Sequence, residues 1–521
     1  MTPLRSKVRC EIAALLAVFF LGGCASLAPP VQRVDQITPE GAGDTEIEQN
    51  VRELLADAKD ESAAVYLQNG VDAFAARLAA VERSTRSVDA QYYLFHNDIT
   101  GNLFAERLLT AAQRGIRVRL LLDDMGTQGQ DDYLLALDAH PNIDIRIFNP
   151  FANRKYRALE YLYRFGIVTR RMHNKSLIID GAAAITGGRN IGDEYFDAHH
   201  QSNFLDMDVL IFGPAVTDVS AQFDQYWNSP LSYDIDILSG TAESPEDIQR
   251  QWQELHEFAE SQKDNLYIET LRATPFLEYL NEKRLPISIG PTTVLEDLPQ
   301  KVREPLFEEE THLGPALWEY FRESATELVI LNPYFIPGEK GVDALAQAVA
   351  RGCRVIVLTN SLAANDVAAV HGHYSKYRKP LIQAGVELYE LKLDRPYSRV
   401  GQELDSAQAV KMGLHVKTFV FDREKTFIGS LNLDPRSVYQ NTELGVIIDD
   451  AEMANEIATL ALELLPDVAY RVELDNSGSL MWRGKDYETG ESIKLDHEPD
   501  AGIFLRLFAF ISRILPVESQ L

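Results

Sequence analysis

Two stretches of this 521-residue chain repeat one arrangement of reactive side chains. His173, Lys175, Asp180, Gly187, Gly188 and Asn190 make the first; His415, Lys417, Asp422, Gly429, Ser430 and Asn432 make the second. Both follow His-x-Lys-x4-Asp-x6-Gly-[Gly/Ser]-x-Asn, and the histidines are 242 residues apart. A single His-x-Lys is noise, but two full copies are a signal. Near neutral pH an imidazole serves as nucleophile, acid or base. An ammonium beside it neutralises a phosphoryl oxygen. After a glycine turn the backbone approaches closely, so Asn190, Ser430 and Asn432 are candidate donors to the same phosphate oxygens. Two such copies meeting would put one histidine on each side of a scissile P–O bond.

Both tripeptides sit in alternating apolar runs, RMHNKSLIID and GLHVKTFVFD, which read as strands. Residues i and i+2 of a strand share a face, which sets each imidazole beside its ammonium. Asp180 and Asp422 complete the signature and are counted with His173, Lys175, His415 and Lys417 as the catalytic motif. Their strand parity is opposite to that of the histidines, which gives them an ion-pair or turn role. Downstream of each motif lies an acid in matched context, Asp206 in Asp-Met-Asp-Val and Glu443 in Glu-Leu-Gly-Val, 237 apart. A carboxylate on the far ring nitrogen would orient the histidine and fix its tautomer. Asp208 is the rival for Asp206, and a charge at a strand start is the plainer reading of both.

The elements that must position these groups also come in two sets. A strand over Ser87–Phe95, a helix carrying Leu103, Phe104, Leu108 and Leu109 that ends at Gly115, and a buried strand over Val118–Leu122 form a βαβ unit. The order returns as strand Glu327–Phe335, helix Val342–Arg351 and strand Arg354–Thr359. Arg114-Gly115 and Arg351-Gly352 are 237 apart, and Tyr93 and Tyr334 are 241 apart, a duplication of domain size. The chain divides into a leader over 1–23, a tether and helix over 24–60, a first half over 61–234, a connector over 235–310, a second half over 311–470 and a C-terminal extension over 471–521. The connector holds a helix opened by Ser244 as N-cap and Pro245.

Arg5, Lys7 and Arg9 precede ten apolar residues, Ile12–Leu21, and then Leu21-Gly22-Gly23-Cys24. This pattern resembles a bacterial lipobox, which would make Cys24 the lipidated N-terminus after cleavage; an uncleaved anchor is the alternative. Hydrophobic residues are 45% and charged residues 25%, which excludes a disordered chain. Only the N-terminal stretch is continuously apolar, which excludes a multi-pass membrane protein. The formal charge of -28 disfavours nucleic acid as a partner. Three cysteines, Cys10, Cys24 and Cys353, are too few for a disulfide framework.

The paired motifs, together with GGRNIGDEYF at 187–196, GSLNLDPRS at 429–437, SLAANDVAAVHGHYSKYR at 361–378 and GVELYEL at 385–391, resemble the cardiolipin synthase branch of the phospholipase D superfamily, most narrowly its bacterial C type. The resemblance covers nearly all of the mature chain. It implies an α/β fold of two similar sandwich halves related by pseudo-twofold symmetry, with the active site at their interface. It implies a phosphohistidine intermediate, no cofactor and no metal. By this analogy His173 attacks phosphorus and His415 protonates the leaving alcohol. A phosphatidyltransferase would then make cardiolipin from two phospholipids, with phosphatidylglycerol or phosphatidylethanolamine as donor. A phospholipase D hydrolase, a nuclease and a binding-only lipoprotein are the rivals, and an activating protein partner is left open. Ala25 after Cys24 is, by the family rule, the mark of an outer-membrane lipoprotein facing the periplasm. Gly188, where many family members have Ser, and the lipobox itself depart from the better-known branches.

Weaker signals remain. Arg154, Lys155, Arg157, Arg164, Arg170 and Arg171, with Tyr156, Tyr161 and Tyr163, could dock anionic headgroups or form a solvated helix face. Lys376, Arg378 and Lys379 pose the same choice. His371/His373 and His199/His200 lack the carboxylate or cysteine spacing of a metal site. Cys353 reads as a buried small hydrophobe. The apolar run Ile503–Leu515 either packs on the domain or lies on a bilayer.

Overall fold

The computed structural model describes residues 27, 33–39, 45–240, 244–303, 312–393, 411–486 and 489–521. Cys24 and the leader lie outside the described residues. Among the described residues twenty-one strands follow one another. The first half supplies β1 (Ser62–Leu67), β2 (Ser87–Tyr92), β3 (Arg117–Asp123), β4 (Ile143–Phe148), β5 (Ser176–Ile179), β6 (Ala183–Gly187), β7 (Ser202–Leu205), β8 (Asp208–Phe212) and β9 (Ser232–Asp234). The connector supplies β10 (Ser288–Gly290) and β11 (Thr292–Glu296). The rest supplies β12 (Glu327–Leu331), β13 (Arg354–Asn360), β14 (Glu387–Leu391), β15 (Lys411–Leu414), β16 (Thr418–Phe421), β17 (Lys425–Gly429), β18 (Leu444–Asp449), β19 (Ala469–Leu474), β20 (Leu480–Lys485) and β21 (Ser492–Leu495).

Nineteen of them form two large mixed sheets, ordered β10-β1-β8-β6-β5-β2-β3-β4-β9 and β11-β18-β17-β16-β12-β13-β14-β19-β20-β21, and β15 pairs with β7 in a third, two-stranded sheet. The run β1-β8-β6-β5-β2-β3-β4 is repeated strand for strand by β11-β18-β17-β16-β12-β13-β14, the duplication seen in sequence. The connector is therefore more than a link: β10 pairs with β1 of the first sheet and β11 with β18 of the second.

Period-2 burial explains the layering. In β2, Val88, Ala90 and Tyr92 join the core under the outer helices Gly70–Glu82 and Ile99–Gln113, while Asp89 and Gln91 are buried on the other face. In β16, Phe419 and Phe421 face outward and Val420 inward. The inward residues of both sheets, among them Ile178, Val209, Val420 and Ile428, share one core with helices Ala215–Trp227 and Ala451–Val468. That common core holds the halves face to face. Gly115 and Gly352, at φ 93° and 98°, end the two matched helices in a conformation that glycine alone adopts without strain. Ser244 caps helix Pro245–Ser261 by accepting from Asp247 N at 3.3 Å. The strands read over Ser87–Phe95 and Glu327–Phe335 stop early, at Tyr92 and Leu331, where the chain leaves the ladder for the cleft.

Candidate active site

The His-x-Lys tripeptides are not in strands. Each lies on an extended link where the chain changes partner. β15 runs parallel to β7 of the other half, from Lys411↔Ser202 to Leu414↔Leu205, and His415 N continues the pairing by donating to Leu205 O at 2.7 Å. Met172 bridges Thr442 in parallel, and His173 N donates to Thr442 O at 2.8 Å. Only at Ser176 and Thr418 does the chain enter β5 and β16 of its own sheet. A ladder cannot run unbroken through a change of partner, and for that reason the alternation in sequence reads as strand while the backbone is not.

These two backbone bonds place the acids. Leu205 precedes Asp206 and Thr442 precedes Glu443, so each histidine meets the carboxylate of the opposite half. His173 Nδ1 lies 2.8 Å from Glu443 Oε2, and His415 Nδ1 lies 2.6 Å from Asp206 Oδ2. With Nδ1 engaged, Nε2 is the ring nitrogen left for chemistry. The rings are also clamped: Tyr93 stands edge-on to His173, and Tyr195 and Phe204 pack on His415, all with centroids 5.2 Å away. Lys417 Nζ is 2.8 Å from His415 Nδ1, and Lys175 Nζ donates to His173 O at 2.6 Å. Asp208, the rival acid, is spent on Arg77 at 2.9 Å and Arg189 at 3.3 Å.

The remaining sequence candidates divide. Asp180 accepts from the backbone N–H groups of Thr85, Arg86 and Ser87 at 2.7 to 2.9 Å, and Asp422 does the same for Ala325, Thr326 and Glu327 at 2.7 to 3.0 Å. They pin the starts of β2 and β12, the ends of those strands away from the cleft. Their place in the catalytic set is therefore corrected: they are turn anchors. Ser430 is corrected too. Its hydroxyl donates to Glu443 Oε2 at 2.5 Å instead of standing free for phosphate. Asn190 accepts from Leu94 N at 3.1 Å and donates to Tyr195 Oη at 3.0 Å, holding the ring that packs on His415. Asn432 Oδ1 is buried without a hydrogen-bond partner among the described residues, an open acceptor, and donation to a phosphate would fall to its Nδ2.

The Gly188/Ser430 difference has a steric cause. A Cβ on Gly188 would lie 2.1 Å from Asp206 Oδ1. The shorter acid fills the space a serine would need, whereas the longer Glu443 shares its oxygen with one. Sequence reading missed Tyr93, Tyr195, Phe204 and the connector pair Asp297–Lys301. Asp297 Oδ2 accepts from Glu443 N at 2.9 Å and from Lys301 Nζ at 2.7 Å, bracing the acid from behind. No matched copy in the first half marked that pair.

The basic cluster is largely consumed within the fold. Arg154 and Arg157 pair with Asp124, Arg171 with Asp123 at 3.1 Å, and Arg378 with Glu390 at 2.7 Å. His371 and His373 are held by Arg378 and Glu498, and by Glu518 and Ser512 O. His199 Nδ1 accepts from Ser202 N at 3.1 Å. The metal-like grouping among the described residues is instead His96, Asp98 and Glu194.

Burial dominates the electrostatics. It holds His173 well below 6.5, reinforced by Lys175, Lys417 and His415. It also lowers His415, with Lys417 adding and Asp206 opposing. Burial pushes Lys417 down to about 8 and Glu443 up to about 7. Asp206 is also pushed up by burial, but His415 and Lys417 outweigh that and keep it below its ordinary value. A productive resting state needs one histidine neutral and the other protonated. Since burial lowers both below 6.5, kcat/KM for a phosphodiester with an alkoxide leaving group is expected to fall already as pH rises toward 6.5, because the proton donor is lost. Bound phosphodiester anion favours the protonated histidine, so the limb in kcat lies at higher pH. A donor with a nitrophenol leaving group needs no acid and should hold its rate to higher pH, until the two buried lysines, Lys175 and Lys417, both depressed by burial and Lys417 to about 8, lose their protons. Parallel pH profiles for the two donors check this; coincident alkaline limbs would reject it.

A family model described as cardiolipin synthase, PLD-like domain, matches residues 78–227 and 317–464. Cardiolipin synthase C of Escherichia coli K12 is 39% identical over 456 residues, spanning 87% of this chain and 94% of that one. An uncharacterized protein of Helicobacter pylori strain J99 is 33% identical over 511 residues, 96% of this chain and 98% of that one. Among solved structures, a phosphatidylserine synthase of Haemophilus influenzae Rd KW20 superposes over 91% of this chain and 100% of its own, with TM-score 0.55 and 12% identity, a likeness of fold.

Proposed function

The chain belongs to the PLD-like cardiolipin synthase family, and from that premise we propose that it is a phosphatidyltransferase that joins two phospholipids into cardiolipin. The observation that carries the reading is the crossed pairing: two histidines face one cleft, each oriented by a carboxylate of the other half. In this mechanism His173 Nε2 attacks phosphorus, the P–O bond to the headgroup breaks, and His415 gives its Nε2 proton to the departing oxygen. The intermediate is a phosphatidyl group on His173. His415, now neutral, takes the hydroxyl proton of an acceptor phosphatidylglycerol, whose oxygen attacks phosphorus and breaks the P–N bond. Lys175, Lys417 and Asn432 supply positive charge and donors to the phosphoryl oxygens. The test is expression in cells that lack cardiolipin. Cardiolipin in the lipid extract, absent when His173 is replaced, is the expected result. Phosphatidic acid with no cardiolipin would overturn transfer in favour of hydrolysis.

The lipobox pattern supports a location in the bacterial envelope, with Cys24 as the tether and the outer membrane as its site. No described helix is long and apolar enough to cross a membrane. Cys24→Ser is expected to leave an unprocessed precursor and to abolish incorporation of radiolabelled lipid; normal processing would reject the anchor.

A further inference from the structure

The described residues expose twenty-one large hydrophobic side chains, and thirteen fall in two short segments, Tyr156–Phe165 and Ile503–Leu515. Such concentration marks an interaction surface. The C-terminal helix Ile503–Ile514 is seated the opposite way from an ordinary surface helix. Its buried residues are the small Ala509 and Ser512, packed on helix Ala368–Tyr374. Gly372 makes the close approach possible, since a Cβ there would lie 2.3 Å from Ser512 Oγ and 2.4 Å from Ala509 O. His373 Nε2 donates to Ser512 O at 2.9 Å. Phe504, Phe508 and Ile511 point outward, at 85%, 56% and 50% exposure. The helix is fixed firmly and presents its apolar face to the outside.

Arg436 joins the ends of the two segments and lies close enough to His173 to act on it. Its Nη2 donates to Thr169 O at 3.1 Å, just past helix Phe165–Val168, and its N–H donates to Leu521 O at 3.0 Å, where the C-terminal segment ends. The same Arg436 is among the cations that depress His173. Charge is local and positive. Residues 502–517 contain Arg506 and Arg513 and no acid, in a chain of net charge -28. Beside the other segment Lys155 and Arg303 are exposed, while Arg164 is paired with Glu160.

We propose that these segments form a collar that rests in the headgroup–acyl boundary of an anionic phospholipid bilayer and delivers the lipid donor to the cleft. The outward aromatic rings and aliphatic side chains supply apolar contact, and Arg513, Lys155 and Arg303 supply attraction to anionic headgroups. This rests on the reading that the substrates are phospholipids.

The full-length protein is labelled with an environment-sensitive fluorophore at Phe508→Cys, Leu162→Cys or, as control, Tyr279→Cys. Position 279 belongs to the opposite pole, where Asn281 pairs with Arg83 beside the Thr85–Asp180 anchor. On vesicles of phosphatidylglycerol and phosphatidylethanolamine, emission at 508 and 162 is expected to rise about threefold and to be dimmed by a quencher dissolved in the bilayer, with no change at 279. No rise at 508 and 162 while the protein pellets with the vesicles would overturn the collar. A rise on concentrating the protein without lipid would assign the face to a second copy of the chain and likewise overturn it. In a second arm, Phe504→Ser with Phe508→Ser is expected to lower turnover on vesicles about tenfold and leave turnover of a monomeric short-chain donor unchanged. Equal loss on both donors counts against the collar. If the unmodified protein turns over neither donor, the functional reading fails, and the fluorescence arm alone judges the docking surface.

Discussion

His173→Ala is expected to give no covalent phosphatidyl-enzyme with any donor, and His415→Ala to accumulate one. The halves are similar, but the two histidine–carboxylate pairs are not. Burial pushes Glu443 up to about 7, and its Oε2 is shared with the Ser430 hydroxyl, so it orients His173 without strongly favouring a protonated ring. Burial lowers His173 and so favours the neutral ring that the proposed nucleophile needs. Asp206 is kept ionised by His415 and Lys417, which outweigh its burial, and best supports a protonated His415, the form a general acid needs. Without His415, a glycerol or ethanolamine alkoxide leaves without a proton, and cleavage of natural lipids should slow by about 10²- to 10⁴-fold. A nitrophenol donor should react nearly as before, and the adduct persists because no base activates the acceptor. Acid-quenched mass spectrometry of each variant with the nitrophenol donor makes the measurement. Adduct on His415 in the His173→Ala protein would reverse the roles. No adduct in either variant would favour direct displacement.

The crossed pairing makes the second large prediction. Glu443→Gln should behave as damage to His173, although the two residues are 270 positions apart. It should slow adduct formation with both natural and nitrophenol donors by about 10³- to 10⁴-fold, the scale of losing the acid that orients a catalytic histidine. Asp206→Asn should behave as damage to His415, slowing natural lipids while largely sparing the nitrophenol donor. Combining Asp206→Asn with His415→Ala should add little to His415→Ala alone, because the acid acts through the ring it holds. Pairing within each half predicts the reverse, with Asp206→Asn abolishing the adduct. Single-turnover rates with the two donors separate these outcomes, and circular dichroism of the variants controls for loss of fold.

The amino-acid order by itself determined the duplication and the outer elements, and it marked the candidate residues that the fold brings to one cleft. His-x-Lys and the downstream acids are legible because their spacing is local, and a second copy at the same offset turns weak motifs into one strong one. The βαβ units are legible because helix and parallel strand have different hydrophobic periods, and Gly115 and Gly352 mark where each helix must stop. The opposite parity of Asp180 and Asp422 already set them apart from the histidines, and the backbone donors at Thr85–Ser87 and Ala325–Glu327 show what they hold instead.

What the tertiary structure alone decided is which half serves which histidine. His415 N reaches Leu205 O, and His173 N reaches Thr442 O, by pairing between chain segments more than 200 residues apart, and no local periodicity encodes a partner at that distance. The same pairing breaks the strands that RMHNKSLIID and GLHVKTFVFD imply, because a ladder must end where its partner changes. It also settles small residues. Gly188 and Ser430 look like the same position in two copies, yet one is empty because Asp206 fills its space and the other is spent holding Glu443. Side-chain roles in a packed cleft follow from volume and hydrogen-bond capacity, and those are fixed only when both halves are in place.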